Sequence, residues 1–165
     1  MYQPNQRQVS AQMYTTAGWL EGTFHFPKMS KLLEALNKEP EFYRLTDVSF
    51  LARQDRLLEF FALQRRATVL VVPPEGESDL WLQKEQTRPT RVYCLFDGGY
   101  VEGRLRLRKG VRVSDYLPKQ DGFVLLQNCK LRLGDLTTEF FVEEEHDAVF
   151  VNAGRVVGFS QDAPA

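Results

Sequence analysis

The apolar residues of this chain fall mostly into short runs that alternate with polar ones, the pattern of a strand with one buried face. After Gly99, the residues Val101, Gly103, Leu105 and Leu107 share one side, while Tyr100, Glu102, Arg104 and Arg106 share the other. An earlier stretch repeats the arrangement: Leu20, Gly22, Phe24 and Phe26 stand against Trp19, Glu21, Thr23 and His25. A glycine on the apolar side of both predicts a bend, or a close approach of another backbone. Ahead of the later strand, Arg91-Val92-Tyr93-Cys94-Leu95-Phe96 runs into Asp97-Gly98-Gly99, a hairpin signal.

The period then lengthens. Ser30 as a cap, with Leu32, Leu33 and Leu36 on one face, predicts a short helix. Ser114, Asp115, Tyr116 and Leu117 fill the corresponding place, and Pro118 limits its length. A strand is expected over 42–51 and again over 123–133. Closing hairpins are expected from 58–63 with 68–72, and from 139–143 with 148–152. The pattern reads β-β-α-β-β-β, twice.

Sliding the chain by 81 positions makes the repetition explicit. Gly18, Glu21, Gly22, Lys28, Leu36, Lys38, Phe42 and Leu45 then meet identical residues, and Asp47 and Val48 meet Asn128 and Cys129. After one deleted residue, Asp55 meets Asp135, Glu59-Phe60-Phe61 meets Glu139-Phe140-Phe141, and Val69-Leu70-Val71 meets Val149-Phe150-Val151. The expected organisation is a first repeat over 8–72, a linker over 73–89 opening on Pro73-Pro74-Glu75-Gly76, a second repeat over 90–152, and a frayed tail over 153–165. Leu80, Trp81 and Leu82 are an apolar patch expected to pack on a repeat. The fold class is mainly β with short helices: two tandem five-stranded units, each curling into a small, partly open barrel.

These residues resemble the Sm-like fold, which has a turn ending in glycine, a strongly bent second strand, a third strand carrying L-x-D/N, and a short pair of final strands. The matching residues are Gly98-Gly99, 101–107, Leu126-Gln127-Asn128 and 140–151 in the second repeat. In the first they are Gly18, 20–26, Leu45-Thr46-Asp47 and 60–71. The helix lies between strands two and three rather than ahead of strand one. The R-G or K-G turn that helps that family hold RNA is replaced by Gln64-Arg65-Arg66 and Glu144-Glu145-His146. The resemblance therefore implies edge-to-edge assembly and not RNA held in the family's manner.

Charge and chemistry narrow the function. The 165 residues carry a formal net charge of -1, whereas a dedicated DNA-binding domain is usually basic. Cys94 and Cys129 lack metal-ligand spacing and read as small buried hydrophobes in a reducing compartment. The polar start, Met1-Tyr2-Gln3-Pro4, is unlike a signal peptide, and no apolar run is long enough to span a membrane, so a cytoplasmic protein with no membrane partner is expected. No nucleophile elbow, phosphate loop or dinucleotide fingerprint occurs. The stretch 128–134 lacks the serine and spacing of a PilZ-like site. His25 and His146, the two histidines, read as surface residues. No catalytic residue, metal or cofactor is expected.

Two charge features remain. Arg104, Arg106, Arg108 and Lys109 on one strand and Lys130 and Arg132 on the next form a basic stripe if the strands pair. It reads as a phosphate track or as a solvated face with long stems over apolar surface. The solvated face is favoured, because the first repeat has Thr23 and His25 there and no exposed aromatic set is evident for base stacking. The expected hairpin tips differ in sign, with Arg65 and Arg66 in one and Glu143, Glu144, Glu145 and Asp147 in the other, which would steer head-to-tail assembly. The expected function is a non-enzymatic interaction or scaffold module that oligomerises through sheet edges. Its partner would be itself or another protein, with RNA or single-stranded nucleic acid as the alternative.

Overall fold

The computed structural model describes residues 5–39, 41–50, 53–77, 84–134, 137–138 and 140–161. Leu80, Trp81, Leu82 and Asp135 lie outside them. The chain divides between Glu77 and Ser78 into two compact units. It is mainly β, with two short α-helices among the described residues.

The first unit contains β1 (Gln6–Thr15), β2 (Gly18–Pro27), α1 (Leu32–Lys38), β3 (Phe42–Phe50), β4 (Arg53–Leu58), β5 (Phe61–Gln64), a 3-10 turn at Arg65–Ala67, and β6 (Thr68–Val72). Its antiparallel sheet runs β6-β1-β2-β3, and both β4 and β5 pair with β3. The second unit contains β7 (Thr87–Phe96), β8 (Gly99–Arg108), α2 (Val113–Tyr116) continued by a 3-10 turn at Leu117–Lys119, β9 (Phe123–Gly134), β10 (Phe141–Asn152), a 3-10 turn at Ala153–Arg155, and β11 (Val156–Gln161). Its order is β11-β7-β8-β9-β10, also antiparallel. In both units the last strand follows a 3-10 turn and lies beside the first strand. Neither sheet closes on itself among the described residues.

Three sequence expectations are corrected. The hairpin of 58–63 with 68–72 does not form: β5 pairs with β3, Phe42 opposite Gln64, while β6 pairs with β1, Met13 opposite Val71. The turn at Arg65–Ala67, closed by Thr68 Oγ1 donating to the Gln64 carbonyl at 3.0 Å, sends the chain to the other side of the sheet. In the second unit, 139–143 and 148–152 are not a hairpin either. β10 is one strand, paired with β9 from Phe141 opposite Gly134 to Asn152 opposite Phe123. The charged run at its middle holds no glycine or proline to break it. Val69–Val71 and Val149–Val151 therefore do not occupy corresponding strands. Finally, the expected tail holds β11, whose Phe159 lies opposite Cys94 and Gln161 opposite Val92.

The alternation read from sequence sets the faces. Leu20, Phe24 and Phe26 on β2, and Val101, Leu105 and Leu107 on β8, are buried. On the inner side of the same strands, Gly22 and Gly103 sit where a neighbour crowds in. A Cβ on Gly22 would lie 2.8 Å from Val48 Cγ2, and one on Gly103 would lie 3.0 Å from Cys129 Sγ and 3.1 Å from Leu126 Cβ. The pairing register shifts at these places, between Glu21 and Thr23 and between Glu102 and Arg104. Opposite them, Asp47 and Asn128 both take φ 52°, the left-handed region that asparagine and aspartate tolerate best among residues with side chains.

The helices are held from afar. Ser30 does not cap α1: Lys31 occupies the N-cap position and its side chain makes no capping bond. Instead, the Leu32 N–H donates to Glu77 Oε2 at 3.3 Å, and Glu77, buried, also pairs with Arg7. In the second unit the Val113 N–H donates to Gln161 Oε1 at 3.4 Å. Each helix start thus takes its acceptor from a residue near the end of its own unit, and Glu77, expected in a linker, is anchored in the first. Arg7 in turn lies over the Phe26 ring at 5.1 Å. Glu77→Ala is expected to lower unfolding stability by about 1–3 kcal/mol in denaturant titration, since it orphans an N–H and a cation together. Glu77→Gln, which can still accept the N–H, should lose less.

Candidate recognition face of the second unit

The solvent side of the second unit's sheet is built from the polar positions of β7 to β10. Cross-strand pairing places Leu95, Tyr100, Arg132 and Glu143 in one row, and Tyr93, Glu102, Lys130 and Glu145 in the next. A third row holds Arg91 opposite Arg104, with Gln127 beyond. Arg106 and Arg108 continue along β8 at the same side-chain period.

This arrangement brings together residues that the sequence placed apart. Glu143, Glu144 and Glu145 do not form a loop tip; they lie in the β9–β10 ladder. Arg132 Nε donates to Glu143 Oε2 at 2.8 Å, and Lys130 Nζ lies 3.7 Å from Glu143 and 3.9 Å from Glu102. Arg91 reaches Glu102 at 3.3 Å. Two of the six residues of the expected basic stripe, Lys130 and Arg132, are therefore paired with carboxylates of the same sheet. These pairs are partly exposed and each contributes about 1 kcal/mol at most. Arg106 donates to Thr87 Oγ1 at 3.1 Å, and Arg104 and Arg108 have no ion-pair partner among the described residues.

The face also carries aromatic rings that the sequence reading missed. Tyr93 and Tyr100 project to the solvent side, with the Arg91 guanidinium 5.9 Å from the Tyr93 ring centroid and Arg132 at 5.7 Å from Tyr100 and 4.7 Å from Phe141. The signal was the alternation itself, since Tyr100 falls among Glu102, Arg104 and Arg106. Beside the rings, Tyr93, Leu95, Tyr100, Gly158, Phe159 and Ser160 line a shallow apolar groove of about 390 Å³.

Arg65, by contrast, is built into the first unit. Its guanidinium donates to the carbonyls of Asn37 and Glu39 at 3.3 and 3.1 Å, at the C-terminal end of α1 where a cation also suits the helix dipole. Arg66 stays exposed in the adjoining 3-10 turn. His25 bonds Thr46 Oγ1 at 2.6 Å.

One arrangement has the outline of a nucleophilic site. His146 lies opposite Cys129, and its Nε2 bonds Glu144 Oε2 at 2.9 Å. The thiol, however, is buried, and burial pushes its pKa up to about 12, leaving almost no thiolate near neutrality. Cys94 is likewise pushed up to about 11 by burial. Among the described residues no group of three or more His, Cys, Asp or Glu is placed to hold a metal ion, and no helix is long and apolar enough to cross a membrane.

Both thiols should resist Ellman's reagent at pH 8 in the folded protein and react at once in denaturant. The unfolded chain releases these protons near pH 9, while the folded chain keeps them to about 11 and 12. Their contribution to stability is therefore full below pH 9 and falls as the pH rises through that window. Denaturant titrations from pH 8 to 11 on the wild type and on Cys129→Ala should show the wild type losing stability more steeply.

Comparison with family models, with curated proteins and with solved structures finds no match to this chain.

Proposed function

We propose that the chain is a non-enzymatic interaction module, a duplicated pair of Sm-like units that assembles with further copies of itself through sheet edges. The duplication reading draws on the paired features of the two units: Gly22 with Gly103, and left-handed Asp47 with Asn128 in the L-x-D/N positions. Helix starts capped by Glu77 and Gln161 add to it.

The assembly reading rests on where large apolar side chains remain in solvent. Leu57 and Phe60 are each 63% exposed at and just beyond the end of β4, and Phe140 and Val142 are 85% and 60% exposed at the start of β10. Val157 and Phe159 are 71% and 37% exposed on β11. Of these strands, β4 and β11 stand at the ends of the strand order. By contrast, β6 and the Ala148–Asn152 end of β10 are buried. Exposed edges are commonly blunted with lysine or proline, yet β11 reads Val-Val-Gly-Phe-Ser-Gln, without either. A strand of this kind accepts another strand along its free side. The charge-steered variant of this idea loses ground, because Glu143 is engaged within its own sheet.

Light scattering on a sizing column is the test. A discrete oligomer is expected for the wild type at high protein concentration, and a mass close to one chain for Val157→Lys with Phe159→Lys. A wild-type monomer, or a double variant of unchanged mass, would overturn the reading.

A second reading, single-stranded nucleic acid, is favoured by one observation: Arg104 and Arg108 flank Arg106 without carboxylate partners, and Tyr93 and Tyr100 lie on the same face. It requires salt-dependent binding of a labelled oligothymidylate that disappears in Arg106→Glu with Arg108→Glu. No binding at low salt ends it.

A further inference from the structure

The bend of the second unit leaves a recess on its polar face. The left-handed turn of backbone at Asn128 opens the β9–β10 ladder, where Asn128 and Asp147 face each other without forming a ladder pair. The recess has a volume of about 340 Å³, within the range of small-ligand sites. Its walls come from four strands of one unit, and its charged lining is Arg91, Glu102, Arg104, Lys130, Glu145 and Asp147.

The first unit offers an internal comparison. It has the same glycine, the same register shift and the same left-handed residue. Where the second unit sets Arg91 opposite Arg104, the first sets Ser10 opposite Thr23, and their hydroxyls bond each other at 3.0 Å. Ser49 stands where the second unit has Lys130. The framework therefore does not need charge at these positions. Setting two arginines directly opposite each other is unfavourable, and only Arg91 is compensated, by Glu102 at 3.3 Å. Arg104 is exposed and has no ion-pair partner among the described residues. On the opposite wall Glu145 and Asp147 are also exposed and lack ion-pair partners among the described residues.

An uncompensated guanidinium thus faces two uncompensated carboxylates across β9, their backbones roughly 10 Å apart at two strand spacings. A simple anion would gain Arg104 and meet the carboxylates; a simple cation would meet the reverse. A molecule carrying both charges satisfies both walls. We infer that the recess binds a small zwitterion of amino-acid or dipeptide size. Its carboxylate lies on the Arg104 fork, a geometry that favours two parallel hydrogen bonds, and its ammonium group lies between Glu145 and Asp147. The inference stands independently of edge assembly.

The test is a titration of the full chain by amide NMR with three probes: glycylglycine, N-acetylglycine, which keeps only the anion, and glycinamide, which keeps only the cation. Glycylglycine is expected to shift the amides of 102–104, 128–130 and 145–147 saturably and to leave 21–23 and 47–49 unmoved. The two singly charged probes should bind roughly tenfold more weakly or worse, and Arg104→Gln should weaken glycylglycine by a similar factor while the rest of the spectrum stays unchanged. Absence of saturable shifts, or either singly charged probe binding as tightly as glycylglycine, would overturn the inference. So would an Arg104→Gln variant that binds normally.

Discussion

Gly22 and Gly103 let side chains of the next strand press close to the backbone, Val48 2.8 Å from where a Cβ on the first would sit, and Cys129 and Leu126 3.0 and 3.1 Å from one on the second. The rest of each unit follows from that approach. A flat sheet of these strands would leave its apolar side only partly covered. Bent at the glycine, with Asp47 or Asn128 in the left-handed region on the next strand, it curves over its own apolar residues and over one side of a short helix. The helices are too short to stand alone. Their first N–H groups take acceptors from Glu77 and Gln161, so the start of each helix is fixed only once the end of its unit has come home.

A bent sheet that does not close keeps its edges, and Leu57, Val157 and Phe159 are exposed there. On the solvent face the second unit differs from the first mainly in charge. Three cations, Arg91, Arg104 and Lys130, stand where the first has Ser10, Thr23 and Ser49, and Glu143 on β10 stands against the last of them. Most of that charge is consumed internally, as Arg132 with Glu143 and Lys130 between Glu143 and Glu102 show. What is left over is local: Arg104 and Arg108 on β8, and Glu145 and Asp147 on β10. The same backbone serves a neutral surface in one unit and a charged recess in the other.

The sequence made the faces legible. Period-two alternation on β2 and β8 assigned every inward residue correctly, because burial on one side leaves a direct record in hydrophobicity. The two bending glycines were legible for the same reason, as gaps in an otherwise apolar face. Strand connectivity was not. Val69–Val71 and Val149–Val151 look alike because both are buried, yet one lies on β6 beside β1 and the other on β10 beside β9. Hydrophobicity records how deep a residue lies, not which strand it joins. The run Glu143, Glu144, Glu145 suggested a loop through its charge alone. Its role became visible only with Lys130 and Arg132 across the ladder. That Tyr93 joins Tyr100 on one face was hidden by the same limit, since the rings come from separate strands.

The central claim is that β11 and the β4 side of the first unit are open edges in a single chain and become covered in the assembly. Site-resolved hydrogen exchange, measured on the wild type across a range of protein concentrations, tests it most directly. The account predicts that amides of 156–161 and of 53–64 exchange freely in dilute solution and gain protection together as concentration rises, while β8 stays protected throughout. Protection of both edges that does not change with concentration would contradict it.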